Sequence, residues 1–212
     1  YRLRSVTRPI RRHMTQHQSS IRRLSELGLL SALLILLALT PLGYLHLSVC
    51  SITFCMIPVA IGAARYGSAA GAGLGALFGA TSFLQCFGGN PMSTALFSIQ
   101  PIRAVLLCFG PRIAMGFCTG LLDRILWKRC TILSIRYALT GLCAALFNTI
   151  FYVTALLLLF RNTDWIQNSW NTLAPGKPIF VFIFAFVGGN ALAEAVVSAV
   201  FTSVICTRLE AT

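Results

Sequence analysis

The sequence predicts an all-α integral membrane protein, a compact bundle of six transmembrane helices with both termini cytoplasmic. Three observations predict it. The 212 residues are 57% hydrophobic with a mean hydropathy of +0.79. Only 10% are charged, well under half of the roughly 25% usual in a soluble domain. Polar and apolar residues nowhere alternate over a sustained ten-residue stretch, as the strands of an outer-membrane barrel require.

The basic residues orient the bundle. Seven of the 17 fall within the first 23 positions, at Arg2, Arg4, Arg8, Arg11, Arg12, Arg22 and Arg23. Residues 1–23 therefore read as a basic cytoplasmic segment beside the first span rather than as a nucleic-acid arm, and no nucleic-acid partner is expected. The first span is Leu24 to Leu42, ended by Thr40-Pro41 and Gly43, and its small residues Gly28, Ser31 and Ala32 form a flat patch where another helix can approach. A short outer connection, Tyr44 to Ser51, leads to a second span interrupted by Pro58, Ile52 to Tyr66. Ala69 to Phe87 is the third, with Gly71, Gly73, Gly75 and Gly79 giving it flat faces for close packing.

Gly88-Gly89-Asn90-Pro91 breaks the chain, and an outer loop with room for a short amphipathic turn continues to Pro101. The fourth span, Ile102 to Trp127, carries Pro111-Arg112; the fifth, Ile132 to Phe160, carries Asn148. A second outer loop, Arg161 to Pro178, contains Trp165 and Trp170, and the sixth span, Ile179 to Cys206, carries Asn190 and Glu194. The membrane domain thus covers 24–208, with a cytoplasmic tail at 209–212. This arrangement puts 13 of the 17 basic residues on the inner side, as the positive-inside rule requires. A substrate pocket is expected to open on the outer face, between the two large loops.

Catalysis finds no equipment. There is no HExxH, no spaced aspartate set and no phosphate-cradling loop, and the five acidic residues form no carboxylate pair. No catalytic residue, cofactor or metal is assigned. The eight cysteines form no CxxC pair; Cys50, Cys55 and Cys86 lie near the expected outer face, where a bridge could form.

Binding is better supplied. Arg112 lies about 15 Å into its helix at 1.5 Å per residue, approaching half of a ~30 Å hydrocarbon core, and a charge there needs a partner or a ligand. Asn190 falls at a similar depth, Asn148 near the middle of its span, and Gln100 and Asn90 in the loop above. Glu194, one turn deeper than Asn190, is within reach of a long arginine, either as a structural ion pair or as a support for a ligand-facing guanidinium. Guanidinium stays charged when buried and grips a carboxylate through two parallel hydrogen bonds. Trp165 and Trp170 serve either as interface anchors or as a lid.

Several stretches resemble the substrate-binding S components of energy-coupling factor (ECF) vitamin transporters. They are the small-residue patch Gly28 to Ala32, the run Leu47 to Val59, Gly75-Ala76-Leu77-Phe78-Gly79-Ala80-Thr81-Ser82-Phe83, Cys86-Phe87-Gly88, Gln100-Pro101, and Pro111-Arg112-Ile113-Ala114-Met115-Gly116. Together they look like the branch that includes pantothenate S components. The resemblance implies a non-catalytic subunit of the bacterial cell membrane that binds a scarce vitamin from outside. It also implies partners: a membrane coupling protein, met at the Gly28, Ser31 and Ala32 face, and two ATPase subunits. Gly28 and Gln100 depart from the family's usual alanine and asparagine. Riboflavin and a deazapurine precursor are alternative ligands, and a secondary transporter or small membrane enzyme is the alternative class.

Overall fold

The computed structural model describes residues 7–40, 44–47, 50–88, 91–173, 175–177 and 179–210. Helices dominate them: α1 (Thr7–Leu39), α2 (Met56–Tyr66), α3 (Ser68–Leu84), α4 (Pro91–Ile99), α5 (Pro101–Arg129), α6 (Leu133–Phe160), α7 (Asp164–Leu173) and α8 (Ile179–Glu210). Among the described residues, four helical segments are long and apolar enough to cross a membrane: Ser68–Phe87, Pro101–Arg129, Leu133–Phe160 and Ala191–Glu210. The protein is a multi-pass helical membrane protein.

Two regions differ from expectation. α1 starts at Thr7 and runs unbroken past Leu24, so the described part of the basic segment continues the helix that follows it. The expected second span, Ile52 to Tyr66, is divided: β1 (Tyr44–Leu47) and β2 (Cys50–Thr53) form an antiparallel hairpin, and helix begins only at Met56. Eleven residues of α2 extend about 16 Å, roughly half of a hydrocarbon core. Pro58 is the third residue of α2 rather than an interruption; its missing N–H falls in the first turn, where no intrahelical acceptor is needed.

α2 passes directly into α3 at Gly67, whose φ of +85° suits a residue without a side chain. α3 and α5 then pack almost backbone to backbone. A Cβ on Gly71 would lie 2.3 Å from the Gly116 carbonyl oxygen, one on Gly75 2.3 Å from that of Arg112, and one on Gly79 3.0 Å from that of Cys108. Gly116 and Gly120 meet α3 in the same way from the other side. Glycine every fourth residue makes this face flat, and in a membrane such contact supplies association that lipid does not. α6 and α8 form a second close pair: a Cβ on Gly141 would lie 2.4 Å from the Ser198 carbonyl oxygen, and Ser198 Oγ donates to the Gly141 carbonyl at 2.8 Å.

The main core joins α1, α2 and α3 to α6 and α8 through Leu34, Met56, Ile61, Phe78, Tyr137 and Cys206. A second cluster, Leu96, Leu107, Leu156, Phe160 and Ile166, gathers α4 and α7 over the adjoining ends of α5 and α6. Gly73 points into open space, so Gly73→Ala is expected to be neutral or to stabilise by about 0.5–1 kcal/mol. Gly116→Ala meets the Gly71 backbone at 2.1 Å and is expected to cost about 1–3 kcal/mol or more; thermal unfolding of the purified variants measures the difference.

Candidate functional site

The site is built from α5 outward. Pro111 lies inside α5, and with no N–H it cannot bond the carbonyl of residue 107 four positions back. Arg112 Nη1 donates to that Leu107 carbonyl at 2.8 Å. The side chain after the proline thus repairs the ladder that the proline breaks. Its guanidinium carbon lies 4.5 Å from the centre of the Tyr152 ring on α6 and 5.5 Å from that of Phe78 on α3, cation–π contacts that partly replace hydration in an apolar setting. Arg112 Nε is buried without a hydrogen-bond partner. So is Oδ1 of Asn148, which lies one helical turn from Tyr152 on α6.

Arg112 and Glu194 are not joined. Glu194 is 8% exposed, and its Oε1 accepts a hydrogen bond from the Thr53 backbone N–H at 2.9 Å. In place of an ion pair there are two separate attachments, each to a main-chain group. A carbonyl orphaned by Pro111 holds the guanidinium; the β2 N–H holds the carboxylate and ties the hairpin to α8.

Gln100 immediately precedes α5 in extended conformation and its side chain does not cap the helix. Asn90 and the side chains of Asn190, Trp165 and Trp170 lie outside the described residues. α7, which carries both tryptophans, is anchored by the fully buried Ile166. At the same end Arg103 Nη1 donates to the Leu159 carbonyl at 2.8 Å, satisfying an acceptor in the last turn of α6. On α1, Gly28 and Ala32 are exposed and a Cβ on Gly28 would touch nothing within 4 Å. Ser31 turns its hydroxyl back to the Leu27 carbonyl at 2.8 Å.

The chain is similar to known sequences over most of its length. A family model described as ECF transporter, substrate-specific component, matches residues 22–206. The chain belongs to this family. As an ECF substrate-specific component it is a transporter subunit rather than an enzyme, and among the described residues no group of three or more His, Cys, Asp or Glu could hold a metal. No match is found among curated proteins.

This ECF component also holds a buried ion pair outside the expected site. Arg136 on α6 binds Asp123 on α5 through two bonds, Nε to Oδ1 at 3.0 Å and Nη2 to Oδ2 at 2.6 Å, and Thr140 Oγ1 adds a third at 3.0 Å. Trp127 and Tyr137 flank the guanidinium at 4.1 and 4.7 Å, while Tyr137 also bonds Glu210 near the end of α8. Asp123 lies near the end of α5 and Arg136 near the start of α6. Their placement on either side of the short α5–α6 turn was the available signal. Removing one member strands the other charge, so Asp123→Ala is expected to cost about 3–5 kcal/mol, whereas Asp123→Leu combined with Arg136→Met recovers most of that loss; denaturation of all three variants tests the pair.

Proposed function

We propose that this ECF substrate-specific component captures pantothenate from outside the bacterial cell and delivers it by docking on a membrane coupling protein driven by two ATPase subunits. In this reading the chain crosses the membrane six times with both termini cytoplasmic. The basic ends of α2, α5 and α8 and the basic start of α1 face the cytoplasm, in keeping with the bias of Arg and Lys toward that side.

One observation carries the ligand assignment. Arg112 is fixed by the Leu107 carbonyl and by two aromatic faces, yet its Nε remains buried and unpaired. A guanidinium held by one nitrogen can still present an edge to a carboxylate through charge-assisted hydrogen bonds. Pantothenate carries a carboxylate, hydroxyls and an amide. The unpaired Oδ1 of Asn148 on the neighbouring helix suits the amide N–H, and Gln100, Asn90 and Asn190 are assigned to the remaining polar groups. Trp165 or Trp170, on α7, is assigned to the cover of the site. Glu194 acts on the hairpin rather than on the ligand.

Gly28, Ser31 and Ala32 form the docking face for the coupling protein. Its support is the uncovered glycine and alanine and the inward-turned serine hydroxyl, which together let a second helix come close.

A second reading rests on the phenylalanines. The Phe83 ring centroid lies 5.3 Å from that of Phe87 and 5.8 Å from that of Phe97, with Phe109 at 6.4 Å; this aromatic group at the α4 end favours a flat ring such as riboflavin. Mass spectrometry of copurifying small molecules, then calorimetry with pantothenate, riboflavin and a deazapurine, separates the readings. Arg112→Ala is expected to weaken pantothenate binding about 100-fold, the equivalent of roughly 3 kcal/mol for a charge-assisted contact. Tight binding of a neutral ring, unchanged in that variant, would reassign the substrate. Gly28→Leu is expected to retain vitamin binding but lose copurification with the coupling protein; wild-type assembly would remove the docking face from α1.

A further inference from the structure

The cysteines, which the transport reading does not use, include one pair in contact. Cys86 lies in the 3-10 turn Gln85–Phe87 that follows α3, and Cys108 lies in α5. Their sulfurs are 3.9 Å apart, and both residues are buried, at 3% and 6% exposure. The α5 side is fixed: a Cβ on Gly79 would lie 3.0 Å from the Cys108 carbonyl oxygen, so α3 and α5 have no slack there. The Cys86 side can give, because the turn ends at Gly88 with φ +119°, where the chain leaves the helix. A metal is a poor fit, since no third His, Cys, Asp or Glu completes a ligand group among the described residues.

We propose that Cys86 and Cys108 are a modification site, a dithiol that closes to a disulfide when it meets a disulfide oxidant. Closure needs the sulfurs to move from 3.9 Å to about 2.05 Å. The Cys86 thiolate attacks one sulfur of the oxidant, forming a mixed disulfide and expelling one thiolate. The Cys108 thiolate then attacks the Cys86 sulfur and expels the second. Two protein thiols are oxidised, one external disulfide becomes two thiols, and the two protein protons pass to the departing thiolates. The new bond ties the turn after α3 to α5 one helical turn before Arg112. Only the supply of oxidant from the outer side rests on the proposed orientation; the bond requires no vitamin.

The test uses the whole protein in lipid nanodiscs, reduced and then treated with glutathione disulfide or dithiodipyridine. Remaining thiols are alkylated and the protein is digested for mass spectrometry. A Cys86–Cys108 linked peptide is expected, together with a thermal midpoint several degrees above that of the reduced protein. Cys86→Ser and Cys108→Ser are each expected to lose both the linked peptide and the rise in midpoint. Full alkylation of Cys86 and Cys108 after treatment with either oxidant, linkage of Cys86 to another cysteine, or an equal rise in both variants would overturn the site. Failure of the vitamin reading would instead appear in the calorimetry.

Discussion

The glycine-lined contact between α3 and α5 is the constraint on which the rest of the structure depends. A lipid tail is as apolar as leucine, so helices gain little from hiding apolar surface from lipid; close approach and internal hydrogen bonds must hold them. Gly71, Gly75, Gly79, Gly116 and Gly120 permit that approach, and any side chain at their facing positions would meet main-chain atoms. The contact also fixes the frame of the site. The Arg112 carbonyl lies against Gly75, so the arginine's backbone cannot drift and its side chain is directed toward Phe78 and Tyr152.

Within that frame, polar groups are matched in three different ways. At the basic end, Asp123 and Arg136 answer each other with two direct bonds and a hydroxyl in support. Within α8, Glu194 accepts a main-chain N–H of the hairpin and remains without a countercharge among the described residues. Near Pro111, Arg112 answers a carbonyl and two aromatic faces but keeps Nε unpaired. The first arrangement is a charge-matched structural pair, although Arg136 Nη1 is itself buried without a partner. The second anchors a short hairpin that lacks the length to bury itself. The third is left incomplete, and an incomplete buried donor costs more than a satisfied one unless something else completes it.

Much of this was legible in the residues. The four long apolar segments follow from hydropathy, the α3 face from glycines at every fourth position, and Arg112 from a charge too deep for an interface. The hairpin was not: Tyr44 to Ser51 reads as a short connection and Ile52-Thr53 as the start of a span, because two strands of four residues carry too short a pattern to mark them. Nor was the partner of Glu194: a backbone N–H has no signature in sequence, whereas an arginine at similar depth does. The contact of Cys86 with Cys108 is not predicted by their spacing, and Asp123 with Arg136 had no signal beyond their placement beside the short α5–α6 turn. Even the Leu107 bond, local as it is, needs the rotamer of Arg112 as well as the proline.

That bond bears on whether Arg112 is structural or ligand-facing, roles that sequence reasoning treats as rivals. A guanidinium carries five N–H donors in a planar fork and two π faces. One nitrogen, Nη1, is held by the Leu107 carbonyl, and aromatic rings approach the group from α3 and α6. These contacts restrain the side chain without occupying Nε. Restraint of this kind is what an anion clamp requires, because ordering a long flexible side chain at the moment of binding costs about 0.5–1.5 kcal/mol, and here the proline has already ordered it. The helix defect and the proposed clamp are then one device: Pro111 releases a carbonyl, the carbonyl fixes Arg112, and the fixed arginine holds its remaining edge ready in a setting where lipid and apolar side chains offer no competing acceptor.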